Sequence, residues 1–165
     1  MTVSTGAVRP WLGLAARLIL GAVFVYAGGS KVGDLAASGR AVNAYQLLAT
    51  EAARAVGAAL PFVELALGVL LLAGLATRLA AAVGALLLVV FIAGISSAWA
   101  RGLSIDCGCF GGGGELATGE RPSYGPEMAR DAALLLGAAF LAIFPRTRFA
   151  IDNALVGGSE DEPDE

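Results

Sequence analysis

Residues 58–100 read AALPFVELALGVLLLAGLATRLAAAVGALLLVVFIAGISSAWA, and Glu64 and Arg78 are their only charges. Bilayer hydrocarbon is about 30 Å thick, so one spanning helix needs about 20 apolar residues. The stretch is twice that length. It predicts two membrane helices, about Leu60–Ala76 and Leu79–Ala100, joined by a turn near Gly74 to Arg78. Pro61 suits a first helical turn, where its missing N–H matters least. A water-soluble bundle would need polar stripes that these segments lack.

Working outward, a further span runs from about Trp11 to Val32, with Arg9 and Pro10 before it and Trp11 at the interface. Ala27-Gly28-Gly29 offers small residues for signal cleavage, but Arg17 and the length of the stretch favour a retained span. A fourth apolar stretch, about Met128–Phe144, starts after Pro126 and stops at Pro145. It is short for a span, so its ends must snorkel or the bilayer must thin. Between the first two spans, Val42, Tyr45, Leu48 and Ala52 recur at helical spacing, which predicts a short amphipathic helix in the first loop. The expected fold class is an all-α integral membrane protein. It is a bundle of four transmembrane helices with a Gly-rich Cys-Gly-Cys loop between helices 3 and 4. Residues 1–10 form an N-terminal segment, 11–145 one membrane domain, and 146–165 an acidic tail expected to be disordered.

Composition agrees and excludes much else. The chain has 165 residues, 57% apolar and 15% charged, more apolar than a soluble domain. With no histidine, Ser-His-Asp triads, His-ligated zinc and His-bound haem are excluded. Two cysteines cannot alone close a four-ligand metal site, so no metal is expected. The acidic balance argues against nucleic acid as a partner, and the missing GK[ST] ending argues against a phosphate loop.

Four alternating spans place both termini on one side and the cysteine loop on the other. At about 1.5 Å per residue, Lys31, Glu64, Arg101, Asp106, Arg130 and Asp131 fall at one level, while Arg17 and Arg78 lie towards the opposite face. A membrane-embedded ionisable group is costly and is generally paired or functional. Lys31 and Glu64 are thus expected partners, which either lock two helices or line a site beside the cysteines. Arg17 is expected to snorkel to the near headgroups. Basic residues flanking the spans would put the cysteine side in the cytoplasm. A disulfide-cycling pair is more useful in an oxidising compartment, and the extracytoplasmic side is the expectation adopted.

The cysteines, Cys107 and Cys109, sit in Asp106-Cys107-Gly108-Cys109-Phe110-Gly111. Gly108 between them takes backbone angles closed to other residues. Thiolate attacks disulfide, so reactivity follows thiolate fraction and access. Arg101 and Arg130 nearby would lower a thiol's pKa, and Asp106 would raise it. A Cys-x-Cys disulfide is strained and closes too small a loop to stabilise the chain much. Relay work fits it better than stapling. Against this stands the plainer reading of two incidental cysteines in an apolar protein.

The string RGLSIDCGCFG, followed by Arg130-Asp131 at the last helix, resembles the methylamine-utilisation MauE family within the DoxX-like membrane proteins. Arg17, Gly21, Phe24, Gly28 and Lys31 agree, as do NAYQLL at 43–48, PFVEL at 61–65, Gly68 and Gly74. The resemblance covers about Arg17 to Phe144. It implies a four-helix membrane protein associated with maturation of a periplasmic, disulfide-rich methylamine dehydrogenase subunit, together with a thioredoxin-like partner. It makes Cys107 and Cys109 the redox candidates and matches Lys31, Glu64 and Arg130 to family positions of less settled role.

The resulting expectation is a cell-membrane, multi-pass thiol–disulfide protein. Cys107 and Cys109 would exchange electrons with a thioredoxin-like partner, supported by a polar layer of Lys31, Glu64, Arg101, Arg130 and Asp131. Apolar surroundings at Tyr26, Phe62 and Phe110 permit a quinone as second electron partner, although no signature specifies one. The rival class is a non-enzymatic scaffold or assembly factor for a redox partner. A small-solute transporter would call for discontinuous helices and paired repeats, of which the sequence shows none.

Overall fold

The computed structural model describes residues 5–110, 113–116, 120–145 and 147–152. Helix α1 spans Thr5–Val32, α2 Leu35–Ala44, α3 Thr50–Ala73 and α4 Thr77–Ala100. Two short strands follow, β1 at Ile105–Asp106 and β2 at Gly114–Glu115, and then α5 at Tyr124–Ile143. The protein is mostly helical. Val8–Val32, Thr50–Ala73 and Thr77–Ala100 are long and apolar enough to cross a membrane.

Helices α1 and α3 approach each other through glycine. A Cβ on Gly28 would stand 2.6 Å from the Pro61 carbonyl oxygen, and one on Gly68 would stand 2.7 Å from the Val25 backbone nitrogen. In lipid no hydrophobic force drives helices together, so such backbone contact supplies much of the packing energy. Between the helices Leu20, Phe24, Leu67, Leu71, Leu88 and Leu141 form the main apolar core. Large apolar side chains elsewhere face outward, including Ile19, Val69, Leu79, Leu86, Leu136 and Ile143. That inversion suits a lipid solvent.

Three expectations about the first half need correction. Helix α3 begins at Thr50 instead of near Leu60, so Pro61 lies inside it instead of in its first turn. A membrane helix tolerates an internal proline when neighbouring groups satisfy the freed backbone. The stripe Val42, Tyr45, Leu48, Ala52 does not make one helical face. Helix α2 stops at Ala44, Tyr45 caps it, and Gln46 takes a left-handed φ of 53° before α3 starts. The buried face of α2 is instead Ser38, Gly39, Ala41 and Ala44, small residues that let it lie directly on α3. Arg17, third, does not reach headgroups: it is 2% exposed. Its Nη1 donates to Thr147 Oγ1 at 2.9 Å and its Nη2 to the Phe149 carbonyl at 3.1 Å.

The Arg17 acceptors come from chain beyond Pro145. There Thr147 and Ala150 are buried, and the Asp152 carboxylate accepts from the backbone N–H groups of Ala76 and Thr77 at 2.7 and 2.8 Å. The acidic end of the tail, 153–165, lies outside the described residues, as do Arg146 and the glycines at 111 and 112.

Candidate functional site

The cysteines occupy the bend of a small ribbon. Ile105 pairs with Glu115 and Asp106 with Gly114, antiparallel. Gly108 sits at φ 68°, the left-handed region where a side chain is costly. The turn is closed from both ends. Asp106 Oδ1 accepts from the Gly108 N–H at 2.8 Å, and Cys107 Sγ accepts from the Cys109 N–H at 3.2 Å. Gly113 crosses so closely that a Cβ there would stand 2.4 Å from the Gly108 Cα.

Three aromatic residues hold the ribbon to the helices. Tyr45 donates its hydroxyl to the Cys107 carbonyl at 3.1 Å. Tyr124, buried at the start of α5, accepts from the Ile105 N–H at 3.2 Å and donates to the Leu103 carbonyl. Phe110 lies beneath the Arg130 guanidinium, 4.5 Å from it, and against Tyr26 at 5.5 Å between ring centres. Tyr124 carries no motif signal, and Tyr45, although inside the NAYQLL stretch, gives no sign of its bond to the ribbon, since a lone tyrosine near an interface reads as an anchor.

Both cysteines are free thiols, Cys107 half-buried and Cys109 buried. They are electrostatically unequal. The hydrogen bond from the Cys109 thiol holds Cys107 below the ordinary thiol range, against the opposing effect of burial, and a hydrogen bond from Arg130 adds to the lowering. Sharing that bond, together with burial, pushes Cys109 far above the range. Burial followed by the nearby cysteines likewise raises the Tyr45 phenol, which keeps it a donor. The arrangement therefore presents a more acidic, more accessible sulfur backed by a protonated, sheltered one. Thiol–disulfide exchange needs this division between an attacking and a resolving sulfur.

The expected polar layer resolves into separate groups. Lys31 Nζ lies 2.6 and 2.8 Å from the two oxygens of Glu64, as depth predicts. Glu64 is nevertheless well inside α3 and not one turn from its start. Arg130 Nε and Nη2 both reach Asp131 Oδ1 at 2.8 Å, while Asp131 Oδ2 is buried with no hydrogen-bond partner. Arg101 departs from expectation. It turns from the thiols and donates to the Tyr45 and Ser97 carbonyls, because those acceptors lie at the end of its own helix and at the end of α2.

Glu127 was not singled out by the sequence. Its carboxylate, that of Asp106 and the Cys107 sulfur have ligand atoms within 4.8 Å of one another. The set mixes one soft and two hard donors, and the Arg130 cation bonded to the same sulfur opposes a metal ion there. Proton exchange with Cys107 suits Glu127 better.

Residues 9–144 match the family described as methylamine utilisation protein MauE. No curated protein matches the chain, and neither does any solved structure.

Proposed function

The chain belongs to the MauE family, and on that premise we propose that it is a membrane-embedded thiol–disulfide exchange protein. Its Cys107–Cys109 pair trades electrons with an extracytoplasmic thioredoxin-like partner. The observation that carries this reading is the placement of the two sulfurs: Cys107 half-buried at the bend, its Sγ accepting from the Cys109 N–H, and Cys109 buried behind it. Incidental cysteines in an apolar core have no reason to share a hydrogen bond beside a guanidinium and a carboxylate. Attack by the Cys107 thiolate on the partner's disulfide forms a mixed disulfide and releases one partner thiolate. Cys109 then displaces the second partner sulfur as its proton leaves, closing Cys107–Cys109.

The topology proposed with it takes α5 as a fourth crossing. Leu134, Leu135 and Ala142 pack on the main core, while Leu136 and Ile143 face outward as lipid-contacting residues do. Four crossings return both termini to one side and leave the ribbon on the other. The oxidising side of the membrane is the compartment where such a pair cycles. Methylamine metabolism as the setting rests on the family's description alone.

The test is a trapping experiment in cells. Cys109→Ser should accumulate a mixed disulfide between Cys107 and a thioredoxin-fold protein, and Cys107→Ser should not. A double serine variant that leaves every partner's redox state unchanged would leave the scaffold reading in its place. Labelling intact cells with a membrane-impermeant maleimide, before and after reduction, reads the side of the loop.

A further inference from the structure

A cavity of about 300 Å³ opens between α2, α3 and α4, with Cys107 on its wall. Its wall and its rim differ in exposure. The buried wall includes Lys31, Ser38 and Gly108, and Tyr45 and half-buried Cys107 adjoin them. The rim is Leu47, Leu48, Val56 and Val90, all exposed apolar side chains, the last two on the membrane-compatible helices α3 and α4. The lining is overwhelmingly apolar, with a thiol on its wall and exposed apolar side chains at its rim. The surroundings named by the sequence, Tyr26, Phe62 and Phe110, do not line it. Tyr26 and Phe62 point outward instead.

We propose that this cavity binds the head of a lipid-soluble quinone, with the ring towards Cys107 and the apolar tail leaving over the Leu48–Val90 rim. The inference rests on the thiol–disulfide reading above and supplies its second electron partner. Three observations choose the occupant. The volume is at the lower end of small-molecule sites, which suits one substituted ring with its tail outside. The exposed leucine and valine rim admits molecules from the bilayer and not from water. An acyl chain, the rival lipid occupant, gains nothing from a thiol on the wall. A redox-active head does.

The step balances as a two-electron exchange. The Cys107 and Cys109 sulfurs together release two electrons and two protons as the S–S bond forms. The quinone accepts both, one proton at each carbonyl oxygen, and leaves as quinol. With the quinone as oxidant the exchange written above runs in reverse: the partner's dithiol opens the Cys107–Cys109 disulfide through a mixed disulfide at Cys107, both protein thiols are regenerated, and the partner's own sulfurs join.

The test uses full-length protein in lipid nanodiscs, reduced and freed of reductant, with decylubiquinone as probe. The expected result is quinol formation with loss of two thiols per quinone reduced. Val90→Trp and Leu48→Trp, both at exposed rim positions, should slow this at least tenfold. Neither should alter the rate at which oxidised protein is reduced by a soluble thioredoxin. If decylubiquinone is not reduced although thioredoxin exchange proceeds, the quinone site is refuted and the thiol reading stands. Failure of both reactions refutes both. Unimpeded quinone reduction in the two tryptophan variants places the reaction outside this cavity. Extraction of phospholipid alone from the cavity, with no quinone reduction, makes it a lipid site and overturns the proposal.

Discussion

Lys31 and Glu64 form a bidentate ion pair at 2.6 and 2.8 Å with both side chains almost wholly buried, joining the last turn of α1 to the middle of α3. Removing one partner strands the other as a buried charge, which costs about 3–5 kcal/mol, whereas replacing both by apolar groups is often neutral or better. Lys31→Met alone and Glu64→Leu alone should therefore unfold far more readily than the parent in detergent. The double variant should regain most of the loss. Circular dichroism melts of the four proteins complete the cycle. Additive losses in the double variant would show that the pair is not coupled as the distances require.

Cys107 should label first. Its thiol lies below the ordinary range and Cys109 far above it, and thiolate is the reacting species. A lowered value means that the reactive form persists at pH values where a free thiol, near about 8.5, is largely protonated. Cys109→Ala removes the first cause of the lowering, so the pH midpoint of Cys107 alkylation should move up. Glu127→Gln removes a nearby negative charge that opposes the thiolate, so the midpoint should move down. Equal midpoints in the parent and both variants would contradict the geometry.

Tyr45 anchors the ribbon through one neutral hydrogen bond to the Cys107 carbonyl. Such a bond contributes about 1 kcal/mol net. Tyr45→Phe keeps the ring and deletes the bond, so transient opening of the turn should become several-fold more frequent. Alkylation of the sheltered Cys109 at fixed pH reads that opening, and it should accelerate by the same factor while the melting temperature barely moves.

Much of this was legible because lipid imposes simple rules. Apolar runs of span length gave three membrane-compatible helices, and depth counting paired Lys31 with Glu64 across two of them. Geometry carried by neighbours in sequence, as in the turn at Asp106-Cys107-Gly108-Cys109 with its left-handed Gly108, was also readable. What escaped depended on backbone groups or on exceptions to local rules. Pro61 read as a helix start because proline breaks soluble helices, yet α3 continues through it. Arg17 read as snorkelling because its acceptors, Thr147 Oγ1 and the Phe149 carbonyl, are distant and neutral and leave no charge pattern. Glu127 read as an ordinary first-turn acid of the kind helix dipoles favour, and only the fold brings it to Cys107.

The far end of the bundle offers a test independent of sulfur. The Asp152 carboxylate accepts from the first N–H groups of α4 at 2.7 and 2.8 Å, while its own N–H donates to the Gly74 carbonyl at 3.0 Å. A carboxylate at this position satisfies orphan donors and meets the positive end of the helix dipole. Asp152→Ala should cost about 1 kcal/mol of stability. The hydrogen bonds from Thr77 and Ala76 hold the Asp152 carboxyl below its ordinary range despite the contrary effect of burial. A depressed folded-state value means that the contribution is complete above the unfolded value of about 3.9. It fades as pH falls through the lower folded value. Melts taken at neutral pH and down through this acid window should therefore show the parent converging on Asp152→Ala only at the acid end. A constant gap between the two at every pH would mean that the carboxylate's charge plays no part in the cap.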